Sequence, residues 1–152
     1  TIGTGDGNDL VNAAAVAAGR IGLTLSGGAG DDRLIGSAGI DTFIGGAGAD
    51  RFGLAAAAHS VVGAKADRIA DFHRAEGDRI DLAAVDANTA VAGNQAFTFI
   101  GTGLYTGVAG QLRYAFNGAD TTIAGDVNGD KVSDFHIVLT GAIALVAADF
   151  ML

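Results

Sequence analysis

From Gly27 to Gly53 the chain reads GGAGDDRLI, GSAGIDTFI, GGAGADRFG, three consecutive units of nine residues. The sixth residue of each unit is Asp (Asp32, Asp41, Asp50) and the eighth is large and apolar (Leu34, Phe43, Phe52). Upstream, TGDGNDLVN from Thr4 to Asn12 fits the same template, with Asp9 sixth and Val11 eighth; Ile2 reads as the apolar residue of a preceding unit. A flexible Gly-Asp linker has no reason to carry an apolar residue at every ninth position, so the stretch is a folded repeat. A fixed nine-residue period suits a stacked parallel coil. Two units make one turn of a coil, the apolar residue points into a core between two thin parallel strands, and loops two units apart stack on one edge.

The spacing of the acids fits that geometry. Asp32 and Asp50 are 18 residues apart, while Asp9 and Asp32 are 23 apart, two units plus a five-residue insertion around Ala13–Gly22. The insertion keeps the ladder if it bulges from the opposite edge. Glycines let the loop backbone adopt positive φ and bring its carbonyls together. Carboxylates plus carbonyls, with no nitrogen or sulfur donors, suit Ca²⁺, which takes six to eight oxygens in a tolerant geometry; Mg²⁺ demands a stricter octahedron and keeps its waters.

Composition points the same way. The 152 residues carry 17 acids against 9 Lys and Arg, a formal charge of −8, and all the acids but Glu76 are Asp. Asp prefers caps and turns to helix surfaces, so this acidity belongs in loops. Nucleic acid and anionic membranes call for a basic face and are not expected as partners. With no Cys there is no disulfide scaffold, thiolate zinc site or cysteine nucleophile. Phe135–Ala148 is the longest strongly apolar uncharged run and is too short to span a bilayer. No signal peptide stands at the start, and the chain opens mid-pattern, as a piece of a longer protein would.

The remainder changes texture after a joint at 54–65. ADRIADF, DRIDL, QAFTFIG, QLRYAFN, DTTIAGD and DFHIVLTG are short β-rich runs punctuated by Gly, Asn and Asp. Leu112, Tyr114 and Phe116 alternate onto one face, and Ala83–Asn88 suits a helical turn. An antiparallel β cap over the open end of the coil is the economical arrangement, because a solenoid needs its last layer covered. Within this region GDVNGDKVSDF places Asp126, Asn128, Asp130 and Asp134 at positions 1, 3, 5 and 9 of an oxygen-rich loop, with the Val132 carbonyl available at position 7. Lys131 stands where such loops prefer Gly, and no Glu follows at position 12, so this is no EF-hand. It reads as a calcium loop or as an Asx-rich hairpin turn.

GGAGDDRLI, ADRIADFHRAEGDRIDL, GQLRYAF, GDVNGDKVSDFHIVL and the terminal ADFML together resemble the C-terminal domain of serralysin-type RTX metalloproteases, over nearly the whole chain. The resemblance implies an all-β fold: a right-handed parallel β-roll over 1–53, then an antiparallel β-sandwich-like cap over 66–152. It also implies several Ca²⁺ ions and export from a Gram-negative bacterium by the type I secretion apparatus, which reads a signal at 149–152. By the family's ligand pattern, one ion would use Gly28, Gly30, Asp32, Gly45, Ala47 and Asp50. A second would use Gly5, Gly7, Asp9, Gly27, Ala29 and Asp32. On the opposite edge Ser37, Gly39 and Asp41 lack a standard partner loop, since residues 19–23 and 54–58 carry no acid. Asp67 or Asp71 could fold back to complete that site, or simply cap strand ends.

The chain contains no H-E-x-x-H, so the zinc protease site that accompanies such tails is not in it, and none of its serines sits in a G-x-S-x-G elbow. Three functional classes remain. The first is a non-catalytic, monomeric calcium module that folds outside the cell and carries the export signal of a larger protein. The second is a carbohydrate-binding or adhesion module, since mannuronan epimerases and adhesins carry such coils, with Tyr105, Arg113 and Tyr114 as one conceivable sugar face. Core packing is the plainer use of those aromatics. An enzyme in its own right is the weakest of the three.

Overall fold

In the computed structural model, residues 1–17 and 22–152 are described. The repeat folds as its apolar residues require. β1 (Ile2–Asp6), β3 (Thr24–Ala29), β5 (Thr42–Ala47) and β7 (Asp67–Ile69) pair side by side in parallel. β2 (Leu10–Asn12), β4 (Arg33–Ile35), β6 (Arg51–Gly53) and β8 (Arg79–Asp81) do the same in a second sheet. Successive strands alternate between the two sheets, and short loops join β1 to β2, β3 to β4 and β5 to β6.

Register stacks the core in two rows. Leu25, Phe43 and Ile69 align on one sheet, and Val11, Leu34, Phe52 and Ile80 on the other. All seven are buried, and Phe43 meets Phe52 edge to face at 6.2 Å between ring centroids. Full burial of such a side chain contributes about 1.5–3 kcal/mol. Ile2 lies in register with Leu25 but is half exposed, on the edge strand of its sheet. Part of the expected insertion around Ala13–Gly22 falls outside the described residues.

The parallel pairing continues past Gly53, where the nonapeptides stop. Both sheets then take up the rest of the chain. β7 is followed in its sheet by β12 (Phe135–Leu139), then β11 (Asp120–Asp126), β10 (Gln111–Asn117) and β9 (Thr98–Phe99). Antiparallel pairing is confined to β10–β11–β12, while β9 pairs with β10 in parallel. The other sheet ends with β13 (Phe150–Met151), parallel to β8. Core rows cross from repeat to tail without a break: Leu139 continues Ile69, and Phe150 continues Ile80. The result is all-β with parallel sheets of the kind a β-roll requires. The helical content among the described residues is three single 3₁₀ turns, at Ala57–His59, Arg74–Glu76 and Ala147–Asp149. Ala83–Asn88 is a pair of turns and not a helical one; the Asp81 and Asp86 carboxylates accept the N–H of Ala83 and Asn88 and divert the backbone.

Candidate metal centre

Stacking the loops puts Asp9, Asp32 and Asp50 in a row, and the Asp32 and Asp50 carboxylates each divide their work. Asp32 Oδ1 accepts the Asp9 N–H at 2.8 Å, and Asp50 Oδ1 accepts the Asp32 N–H at 2.9 Å. The second oxygens, Oδ2 of Asp9, Asp32 and Asp50, are buried with no hydrogen-bond partner. Asp32 and Asp50 are 1% and 0% exposed. A buried carboxylate oxygen without a donor is expensive, and here it recurs loop after loop. Burial, with the nearby charges of Asp78, Asp32 and Asp71, pushes Asp50 up to about 6 against the bonding that lowers it.

The glycines complete the cradle. A Cβ on Gly27 would overlap Asp32 Oδ2, and one on Gly45 would overlap Asp50 Oδ2, so each carboxylate folds back across the first residue of its own loop. The carbonyls of Gly5, Gly7, Gly28 and Gly30 project toward the next loop, where a Cβ on Gly28, Gly30, Gly46 or Gly48 would strike them. Ala29 and Ala47 carbonyls accept the N–H of Gly7 and Gly30, and the Gly27 carbonyl accepts the Thr4 hydroxyl. No three His, Cys, Asp or Glu side chains surround one point among the described residues. That follows from a ladder that supplies one acid per loop, leaving the remaining oxygens to the backbone. The orphaned carboxylate oxygens and converging carbonyls fit a hard, oxygen-seeking cation.

The ladder has a fourth member that the sequence reading missed. Asp78 Oδ1 accepts the Asp50 N–H at 2.9 Å, and its Oδ2 takes the His73 N–H at 2.7 Å. Asp71 accepts the N–H groups of Gly45 and Gly46, and Glu76 that of Gly48. Three acids of the 70–78 loop therefore accept the N–H groups that the last nonapeptide presents. The available signal was a triplet, Asp-Arg-apolar, at Asp32–Leu34, Asp50–Phe52, Asp67–Ile69 and Asp78–Ile80. Its arginines stack too: Arg33, Arg51 and Arg79 share a register, and Arg33 pairs with Asp81 at 3.0 Å.

The opposite edge is different. Both Asp41 oxygens are engaged, by the N–H of Leu23 and by the N–H and hydroxyl of Ser37, whose oxygen also accepts the Gly39 N–H. Asp67 sits beside it and accepts the Asp41 N–H at 2.9 Å, but its Oδ2 is buried and unpaired, and burial next to Asp41 pushes it up to about 7. Asp71 does not join this edge; its place is on the Asp50 edge.

In the 126–134 loop the backbone has claimed the carboxylates. Asp126 accepts the N–H groups of Asn128, Gly129 and Lys131, and Asp134 accepts the Val127 N–H and the Asn128 amide. Asn128 and Asp130 accept from Asp130 and Val132 in turn. These are the bonds of a run of Asx turns, and Lys131 takes the positive φ of 71° that a Gly would adopt freely. None of these oxygens is left buried and unpaired, unlike those of the coil. Tyr114 is in the core against Phe99, and Arg113 covers the Tyr105 ring, so these three do not form an open face.

An all-β chain with stacked glycine loops and a ladder of half-paired aspartates defines a repeat module built around its loop edge. The family profile described as peptidase M10 serralysin C terminal matches residues 4–152, and the chain belongs to that family. Two solution structures are similar, both subunits of a mannuronan C5-epimerase from Azotobacter vinelandii. The AlgE6R2 subunit is 27% identical with a TM-score of 0.59, over 99% of this chain and 91% of that one. The AlgE6R3 subunit is 26% identical with a TM-score of 0.51, over 96% and 78%. No curated protein matches in sequence.

Proposed function

We propose that the chain is a non-catalytic calcium-binding RTX module, a β-roll with a β cap, that folds on Ca²⁺ outside the cell and directs type I secretion of a larger protein. The observation that carries this reading is the buried, unpaired Oδ2 of Asp9, Asp32 and Asp50 on one edge. One ion is assigned to Gly28, Gly30, Asp32, Gly45, Ala47 and Asp50, and a second to Gly5, Gly7, Asp9, Gly27, Ala29 and Asp32. Asp67, with Asp41 beside it, is the candidate on the opposite edge; the 126–134 loop is the weakest candidate, because its oxygens are already satisfied. Bound calcium neutralises the carboxylate ladder and adds its binding free energy to the folded state alone. The coil proper is assigned to 1–53, with Asp67–Asp81 as a further turn that seals it.

Extracellular calcium modules bind at ~10⁻⁴–10⁻³ M. Such a site leaves the Gly-rich coil unfolded at cytosolic calcium and able to pass a narrow channel. Circular dichroism with a calcium titration tests this: residues 1–53 lose their β signal in chelator and regain it on calcium addition. Full β structure in chelator refutes it. A second reading, a carbohydrate-binding module, draws support from the likeness to subunits of a polysaccharide epimerase.

A further inference from the structure

The 70–78 loop grips two parts of the molecule at once. On one side its carboxylates take the last nonapeptide: Asp71 accepts the N–H of Gly45 and Gly46, Glu76 that of Gly48, and Asp78 that of Asp50. On the other side Arg74 reaches the end of the chain. Its Nε donates to Asp149 Oδ1 and its Nη2 to Asp149 Oδ2, both at 2.6 Å, and Nη2 also donates to the Ala144 carbonyl. This is the bidentate fork, the strong form of an arginine–carboxylate pair.

The last residues depend on that fork. Asp149 is buried, and Arg74 is the one cation within 4.0 Å of it among the described residues. A buried carboxylate stripped of its partner is costly, so Asp149 stays inside only while Arg74 is in place. Asp149 Oδ2 also accepts the Val146 N–H at 2.7 Å, which closes the 3₁₀ turn leading into β13. Beyond the turn the hold is slight. β13 is two residues long, lies at the edge of its sheet with β8 as its one neighbour, and adds the Leu82 N–H bond to the Met151 carbonyl and the packing of Phe150 on Phe99.

The position of Arg74 depends in turn on the coil. Within the loop there is one 3₁₀ turn, Arg74–Glu76, ended by Gly77 at φ 105°, and one bond from the His73 N–H to Asp78. The rest of its anchorage is the 45–50 loop, reached through Asp71, Glu76 and Asp78, together with the pairing of β7 on β5 and of β8 on β6. We propose that the 70–78 loop is a latch that couples calcium loading of the coil to burial of the C-terminal segment, with Arg74 as the positioning residue. This rests on the calcium reading above. In the loaded coil, residues 147–152 are docked and hidden. In the empty coil the loop loses its anchors, Asp149 loses its cation, and the segment stands free for a carrier to read. The coupling is reciprocal, so release of the segment also weakens the response of the coil to calcium.

The test is amide hydrogen exchange at 149–152 of the full chain, read beside circular dichroism over a calcium titration. In the unmodified protein, protection of these amides is expected to appear at the same calcium midpoint as the β signal. At saturating calcium, Arg74→Gln should speed their exchange by about tenfold or more, and Asp71→Ala, which alters only the coil side of the loop, by about threefold or more. Exchange across β10–β12 should stay unchanged in both variants, which separates opening of the latch from loss of the fold. The proposal is overturned if 149–152 are protected in chelator while the coil is unfolded, or if either substitution leaves their exchange unchanged. A coil that folds on calcium while 149–152 exchange freely defeats the latch alone, whereas a coil that keeps its full β signal in chelator defeats the calcium reading and the latch with it.

Discussion

Replacing Asp32 by Asn changes one atom on the loop edge. The remaining Oδ1 still accepts the Asp9 N–H, now at 2.8 Å to a neutral acceptor, while the orphaned Oδ2 becomes an amide nitrogen. The weaker neutral bond costs roughly 1 kcal/mol. Against it stands relief of repulsion: carboxylates one strand spacing apart, ~4.8 Å, repel by about 3 kcal/mol at an effective dielectric of 20. Without calcium the substitution is therefore neutral or mildly stabilising. With calcium the balance reverses, because Asp32 serves both proposed ions. At about 10 mM Ca²⁺ and a Kd of ~10⁻⁴–10⁻³ M, each ion contributes about 1.4–2.7 kcal/mol. Asp32→Asn should lose about 3–5 kcal/mol, and Asp9→Asn or Asp50→Asn about half that. Urea unfolding followed by circular dichroism at fixed calcium measures all three, and in chelator none of the three should lose stability. Equal losses for Asp32 and Asp9, or a loss for Asp32→Asn that persists in chelator, would refute the reasoning.

Three further outcomes follow from the same geometry. Gly45→Ala puts a methyl group onto Asp50 Oδ2 and should raise the calcium midpoint of folding and destabilise the loaded protein by about 1–3 kcal/mol; an unchanged titration would contradict the cradle. The folded-state values of Asp50 and Asp67 are raised to about 6 and about 7, so the folded state binds more protons than the unfolded one. The folded fraction in chelator should thus rise as pH falls from about 8 toward 4, whereas calcium affinity should fall over the same range because the ligands must be deprotonated; circular dichroism in chelator and calorimetric titrations at several pH values check both signs. Deleting Phe150–Leu152 should abolish type I secretion and also destabilise the cap, because Phe150 is buried 4.9 Å from Phe99, and a lost core Phe costs about 3–5 kcal/mol; medium-borne truncated protein would place the export signal elsewhere.

The repeat was legible because one chemical demand recurs at a fixed period. An apolar residue every ninth position fixed the core rows, and an Asp two residues earlier fixed the edge, so the pairing of Asp9, Asp32 and Asp50 followed from arithmetic. The fourth turn is hidden because its loop lacks the G-G-x-G run of the repeat: Asp71, Glu76 and Asp78 meet the last nonapeptide's N–H groups with side chains, and only the Asp-Arg-apolar triplet betrays the continuity. Spacing cannot tell which edge Asp71 reaches for the same reason, because the loop length changes there. As sequence, the terminal ADFML resembles an export address. In the fold it is also structure, with Asp149 gripped by Arg74 through two bonds of 2.6 Å and Phe150 extending the row begun by Val11. A pattern of long-range contacts between residues 75 positions apart leaves no local trace.

Anomalous diffraction from crystals grown in calcium measures the central claim directly. The account predicts peaks between successive loops on the Asp9–Asp32–Asp50 edge, each about 2.3–2.6 Å from the Oδ2 atoms that are otherwise unpaired. Ordered loops with those oxygens facing water or protein donors, and no calcium on that edge, would contradict it.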